Sequence, residues 1–194
     1  MILGICGSLR DISNTNRLIK KVAESSGQEF ELVYLGDKNI KPCTGCSSCM
    51  MSQGTCSIED DMMEINEKII NADAIIMGGP TYFMDINGAL KDLIDRSSAT
   101  FYREIGPDYK EGMPWLGQRP MAGKPAIIIT TVAGGGHERA IETLRVCVEE
   151  IYQMKIVSKL AEAIRMDDVD DLPDVLGRAE QAGKKLGKAL RGEA

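Results

Sequence analysis

The sequence is poor in the groups that most enzymes use for acid–base work. It has one histidine, His137, and one tryptophan, and aromatic residues make up only 5% of its 194 positions. A single histidine leaves zinc sites of the mixed cysteine/histidine type almost nothing to work with. Basic residues are in deficit as well: the net charge is −6 and the pI is near 5.0, which argues against a general nucleic-acid binder. No stretch approaches the ~18 consecutive apolar residues of a membrane span, so no membrane partner is expected. The opening MILGICGSLR lacks a basic start and is apolar for too short a run to read as a secretory signal. No Gly-Lys-Ser/Thr Walker loop and no Gly-x-Gly-x-x-Gly fingerprint is present, which disfavours an NTPase and a dinucleotide bound in the Rossmann manner.

Cysteine, in contrast, is concentrated. Cys43, Cys46, Cys49 and Cys56 form a C-x2-C-x2-C-x6-C array, and only Cys6 and Cys147 lie elsewhere, where burial in the core is expected. Core packing gives no reason for a cysteine at every third residue. A thiolate cage does, and Thr44, Gly45, Ser47 and Ser48 keep the intervening side chains small. Without a signal sequence, the array points to a reducing cytoplasm, where cysteines bind metals or do redox chemistry. Consecutive C-x2-C steps let three sulfurs converge on one iron–sulfur cubane. Four-cysteine zinc sites more often use two separated knuckles. Free thiols or a labile disulfide are the remaining alternative.

Apolar runs alternate with amphipathic stretches along the chain. Strands are predicted over Met1–Cys6, Phe30–Leu35, Ala74–Met77, Ala126–Thr131 and Lys155–Ala161. Helices are predicted from about Asn14 to Ser26, around Met62, Ile65 and Ile69, from Ile86 to about Ser97, from Arg139 to Tyr152 and from Val175 to Leu190. Glu59-Asp60-Asp61 is expected to cap the second of these. Such alternation implies one α/β domain, a doubly wound five-stranded parallel sheet of flavodoxin-like order 2-1-3-4-5, with ligands beyond the carboxyl ends of the strands. Two connections are long: the cysteine loop (about 40–58) and an excursion from about Ala99 to Gly123 that holds Phe101, Tyr102, Tyr109 and Trp115. The excursion reads either as a surface feature with its own apolar cluster or as a lid or subunit-contact arm.

Three loops at strand ends carry candidate binding groups. The first runs from Gly7 to Thr15 and joins hydroxyls, an amide, an arginine and a helix N-terminus, a combination suited to a phosphate. In the second, Gly78-Gly79-Pro80-Thr81-Tyr82-Phe83-Met84, glycines allow close approach of a flat ligand beside two aromatic side chains. The third, Thr131 to His137, holds three consecutive glycines; His137 reads equally as a proton donor or as a residue beside a helix cap.

Taken together, Gly-Ser-x-Arg-x-x-Ser-Asn-Thr at residues 7–15, the cysteine loop, Asp60-Asp61-Met62, Gly-Pro-Thr-Tyr-Phe at 79–83 and Leu90-Lys91-Asp92-x-x-Asp95-Arg96 resemble the FMN-binding flavodoxin-like reductases. Within that superfamily (NADPH-dependent FMN reductase-like), the compact cysteines resemble the iron–sulfur flavoproteins. The resemblance covers about Met1 to Val148. It implies that Ser8, Arg10, Ser13, Asn14 and Thr15 hold the FMN phosphate. Pro80, Thr81, Tyr82, Phe83 and Met84 would border the isoalloxazine ring, with Ala133, Gly134 and Gly135 on its other side. Cys43, Cys46, Cys49 and Cys56 would ligate a 4Fe–4S cluster. It further implies a homo-oligomeric, flavin-dependent oxidoreductase with a ferredoxin-like donor and a small acceptor such as oxygen, peroxide or a quinone. The alternative is a cluster-free NAD(P)H-dependent FMN or quinone reductase; such relatives keep a similar Pro-Cys-x-Gly-Cys context, as at Pro42 to Cys46.

Overall fold

The computed structural model describes residues 1–103, 119–165 and 167–193. Its strands are β1 (Ile2–Cys6), β2 (Phe30–Tyr34), β3 (Ala74–Tyr82), β4 (Asp85–Ile86), β5 (Pro125–Val132) and β6 (Lys155–Ala163). Five of them run parallel in the order β2-β1-β3-β5-β6, and β4 folds back antiparallel on β3. The flavodoxin-like α/β fold expected from the alternation is therefore present, with the short β4 added.

Every residue of β1 is buried, as a central parallel strand with both faces covered requires. Successive side chains leave the sheet on opposite sides. Ile2, Ile76, Ile127 and Ile129 pack under α1 (Asn14–Ser25) and α7 (Pro173–Leu190). Leu3, Ile5, Ile75 and Ile128 meet α3 (Met62–Asn71), α4 (Gly88–Arg96) and α6 (Glu138–Arg145) on the other. Two short helices, α2 (Ser48–Met51) and α5 (Ser98–Phe101), lie in the connections. Cys6 and Cys147, each 1% exposed, are core residues, and burial pushes their thiols up to about 11 and about 12.

Two elements differ from their sequence-based boundaries. Gly78-Gly79-Pro80 does not stop β3; the strand continues to Tyr82. Both glycines are needed for close packing, since a Cβ at Gly78 would sit 2.7 Å from Ile129 O and one at Gly79 would sit 2.8 Å from the Leu90 side chain. The helix expected over Arg139–Tyr152 is α-helical only to Arg145 and then widens into a π-helical turn, Val146–Ile151. The wider turn accompanies full burial of Tyr152, whose hydroxyl lies 2.5 Å from Ser97 Oγ. Of the 99–123 excursion, residues 104–118, including Tyr109 and Trp115, lie outside the described residues. At its flanks Phe101 meets Tyr102 edge-to-face, and the Arg119 guanidinium stacks 3.7 Å from the Phe101 centroid.

Helices α1 and α7 pack closely because α7 presents glycine to α1. A Cβ at Gly183 would lie 2.3 Å from Val22 O, and one at Gly187 2.3 Å from Ser26 O. Gly183→Ala should therefore cost about 1–3 kcal/mol through overpacking. Gly177→Ala, in the same helix with open space around it, should gain roughly 0.5–1 kcal/mol from helix propensity. Urea unfolding of both variants checks the opposite signs.

Candidate functional site

The carboxyl ends of β1, β3, β5 and β6 surround a cavity of about 190 Å³. It is lined by Ser8, Arg10, Ser13, Asn14 and Thr15 from the first loop, Pro80, Thr81 and Tyr82 from β3, and Ala133 from the third loop. Three widely separated sequence segments thus meet at one place. Ser13 caps α1, accepting a hydrogen bond from Asn16 N at 3.1 Å. The first-turn N–H groups of α1 have no intrahelical partner, which makes this end attractive to an anion. Thr15 Oγ1 lies 2.7 Å from Thr131 Oγ1, and this hydroxyl pair ties the start of α1 to the end of β5. Arg10 reaches the cavity, and its backbone N–H donates to Ser8 Oγ at 3.3 Å.

Asn14 lines the cavity, and its side chain also reaches a neighbouring loop. Its Nδ2 donates to Asp167 O and its Oδ1 accepts from Val169 N, both at 3.0 Å. The amide thus fastens the loop after β6, and these bonds leave the second Nδ2 hydrogen of Asn14 unused. That loop also brings Ile164 and Arg165 to the cavity wall. Sequence reasoning missed both, whereas Thr131 and Val132, also in the wall, open the third loop singled out in the sequence. The strand was expected to end at Ala161, which left Arg165 in an unassigned connection. Arg165 stands with φ +56°, and no ion pair is formed by it among the described residues, whereas nearby Arg17 is held by Asp168 and Asp170.

On the aromatic side, β3 and β4 are joined by Phe83-Met84, with φ +49° and +74°. A two-residue hairpin with both central residues left-handed normally uses Asn-Gly or Gly-Gly. Here the turn instead holds a completely exposed Phe83, with Tyr82 and Met84 about half exposed. The hairpin is fixed from below, because Asp85 accepts from Thr143 Oγ1 at 2.8 Å and pairs with Arg139 at 3.3 Å. Met84 also seats on the third loop, where a Cβ at Gly136 (φ +86°) would fall 2.3 Å from its sulfur. Phe83, Met84, Gly134 and Gly135 do not line the cavity; they form the open surface beside it, with nothing within 4 Å of a Cβ at either glycine. His137 precedes α6 without capping it through its side chain, and its Nδ1 is buried without a partner among the described residues.

The four clustered cysteines occupy the loop between β2 and α3, and all are free thiols. Cys43 and Cys46 are exposed, Cys49 and Cys56 half-buried. Cys46 Sγ lies 3.3 Å from Ser48 Oγ and 3.5 Å from Ser57 Oγ, and hydrogen bonding, from Ser48 foremost, lowers its pKa to about 6. Cys49 Sγ is 4.0 Å from Ser98 Oγ. The loop docks on α5 through Gly54 (φ +92°), where a Cβ would be 2.8 Å from Ala99 O. Among the described residues, no three cysteine, histidine or acidic side chains are grouped so as to hold a metal ion.

Both ends of this loop are held by one arginine. Arg96, at the end of α4, donates to Lys41 O at 2.7 Å and Ile58 O at 3.3 Å, and makes a forked pair with Asp60 at 2.6 and 2.9 Å. The two side chains are 1% and 0% exposed. Asp60 also accepts from Lys41 N and Met62 N, so it joins the loop to α3 as well as capping it. Burial works to raise the Asp60 pKa, but the Arg96 fork and the two backbone N–H groups outweigh it and hold the carboxyl below its ordinary value. This lowered carboxyl adds stability above its unfolded pKa, near ~3.9, and loses it as pH falls through the lower folded value. Asp60→Asn should cost about 3–5 kcal/mol at pH 7, because it leaves a buried arginine unpaired. The gap to the wild type should narrow below about pH 3.5, as measured by urea midpoints across pH.

The model of the NADPH-dependent FMN reductase family matches residues 1–167. An iron-sulfur flavoprotein of Methanosarcina thermophila is 39% identical over 146 residues, covering 74% of this chain and 70% of the relative. An iron-sulfur flavoprotein of Methanocaldococcus jannaschii is 41% identical over 99 residues, 50% of this chain and 51% of the relative. The chain spans about half or less of several such relatives, with 51%, 42% and 44% of three of them covered. Among solved structures, the NAD(P)H:quinone oxidoreductase from Methanothermobacter marburgensis superposes with a TM-score of 0.72 at 17% identity, covering 95% of this chain and 98% of that one. At that identity the likeness is one of fold.

Proposed function

The chain belongs to the NADPH-dependent FMN reductase family, and from that premise we propose that it is an FMN-dependent oxidoreductase exchanging electrons between the flavin and a 4Fe–4S cluster on the cysteine loop. The observation that carries the flavin half is the 190 Å³ cavity, where the three loops singled out in the sequence converge beyond the sheet. Its residues suit the FMN phosphate and side chain in kind: hydroxyls of Ser8, Ser13 and Thr15, the N–H groups at the start of α1, and the cations Arg10 and Arg165. Pro80, Thr81, Tyr82 and Ala133 supply the adjoining wall for the ring, and the open surface at Phe83, Met84, Gly134 and Gly135 leaves room for a small acceptor.

The cluster half rests on the donor set. Four free thiols on one loop, with Cys46 already favoured as thiolate, match the ligands an iron–sulfur centre requires. The relatives named iron-sulfur flavoprotein support the same reading. Flavin takes one or two electrons and a cluster takes one, so the pair would connect a one-electron donor of the ferredoxin type to a two-electron acceptor such as oxygen, peroxide or a quinone. The protein's residues would then bind and orient, with no proton relay required of them. Homo-oligomerisation and a reducing cytoplasm belong to this reading. Because the thiols are not gathered among the described residues, a cluster-free NAD(P)H-dependent FMN or quinone reductase is the competing reading.

The absorption spectrum of anaerobically purified protein, with iron and sulfide assays, decides between them. Flavin bands over a broad iron–sulfur absorbance are expected. A pure flavin spectrum without iron, bleached rapidly by NAD(P)H, would favour the cluster-free reductase. Cys49→Ser should remove iron and leave FMN bound, since the phosphate cavity draws nothing from the cysteine loop. Thr15→Val should weaken FMN retention about 5- to 30-fold by breaking the Thr15–Thr131 link, as measured by flavin fluorescence titration.

A further inference from the structure

Two sequence motifs play no part in the flavin cavity: Asp60-Asp61-Met62 and the run ending Asp95-Arg96. In the fold they are two halves of one interaction. The Arg96 guanidinium lies at the base of the cysteine loop, bonded to Lys41 O on the incoming side and to Ile58 O and Asp60 on the outgoing side. Residues 42–57, with all four clustered cysteines, are therefore clamped at their base by Arg96, beside the bonds that Asp60 makes to Lys41 N and Asp61 makes to Asn39. Arg96 Nε is buried and has no partner among the described residues. Cys56, two residues before Ile58, is near enough to act on the charge of the guanidinium.

The helix that carries Arg96 has its other end at the flavin cavity. Asn87, immediately before α4, donates from Nδ2 to Gly7 O at 2.7 Å, directly behind Ser8. Nine helical residues of α4 span about 13 Å. One short rigid element thus has its first end on the phosphate loop and its last residue inside the cysteine loop.

We infer that Arg96 is the positioning residue of the cysteine array: it clamps the loop at its base, sets it at a fixed distance from the flavin through α4, and places a permanent positive charge at Ile58 O, two residues along the chain from Cys56. This rests on the reading of the cysteine loop as a redox centre for its electrostatic part only; loop closure is a property of the chain alone. A surface ion pair would contribute little here. A buried, forked pair that also takes two carbonyls has no water to replace any of its bonds, so its loss leaves the loop base to the Asn39–Asp61 and Lys41–Asp60 bonds alone.

Three variants test the inference in the full-length, FMN-bound chain: Arg96→Lys, Arg96→Gln, and Arg96→Gln/Asp60→Asn, which avoids an unpaired buried carboxylate. In metal-free protein, amide hydrogen exchange of residues 41–62 should accelerate at least about tenfold in both glutamine variants, while residues 8–17 exchange as in the wild type. Unchanged exchange at 41–62 would overturn the closure. After anaerobic reconstitution with ferrous iron and sulfide, Arg96→Gln should shift the iron–sulfur potential negative, because a cation that favours the more negative reduced state is gone. Arg96→Lys keeps the charge and should hold the potential near the wild-type value while still loosening the loop. Equal potentials for glutamine and wild type would overturn the electrostatic role. If the wild type takes up no iron, the cluster reading fails, and the exchange result still decides the role of Arg96.

Discussion

Two-sided burial of the central strands governs everything else in this molecule. β1, β3 and β5 bury nearly all their side chains, alternately under α1 with α7 and under α3, α4 and α6. A parallel sheet covered in this way sends every strand out at the same edge, so the connections after β1, β3 and β5 must open side by side. Polar side chains that could not be tolerated inside the sheet collect there. The Thr15–Thr131 and Thr81–Thr130 pairs, both at 2.7 Å, show how hydroxyls at that edge satisfy one another across neighbouring elements.

Conformational strain and exposure coincide on the hairpin between β3 and β4. Phe83 and Met84 both occupy the left-handed region without being glycine or asparagine, and Phe83 gives up all burial. Packing below explains how the turn persists: Asp85 is held by Thr143 and Arg139, and Met84 fills the space left by Gly136. Backbone held in this way tends to mark ligand clamps and switch regions, which agrees with its position beside the cavity at the strand ends. The cysteine loop follows a similar logic, with left-handed Gly45, Ser47, Gln53 and Gly54 turning the chain tightly and one buried ion pair holding its base.

Much of this was legible along the chain. The parallel order came through because each apolar run and each amphipathic stretch carries its own period, and the first loop stood out because hydroxyls and a helix start lie within nine positions. The extension of β3 through Gly78-Gly79-Pro80 was not. Those residues are loop formers by local preference, and only the close approach of Ile129 and Leu90 makes them a strand. Arg165 and Ile164 were missed because the edge strand β6 runs further than its apolar signal. Nor was the link legible from the Asn14 amide to the loop 167–169, more than 150 positions away in sequence.

By itself the sequence determined the fold class, the four thiols with their spacing, and which loops carry clustered hydroxyl and aromatic groups. These follow from local period, composition and short-range spacing, all of which are written within a few residues. Tertiary structure alone decided which groups remain free for a ligand and which are spent on one another. Asp60 and Arg96 lie 36 positions apart and look like two surface charges in sequence, yet they form the buried clasp of the cysteine loop. Burial and pairing depend on what the fold brings alongside a side chain, and no local pattern in the chain encodes that.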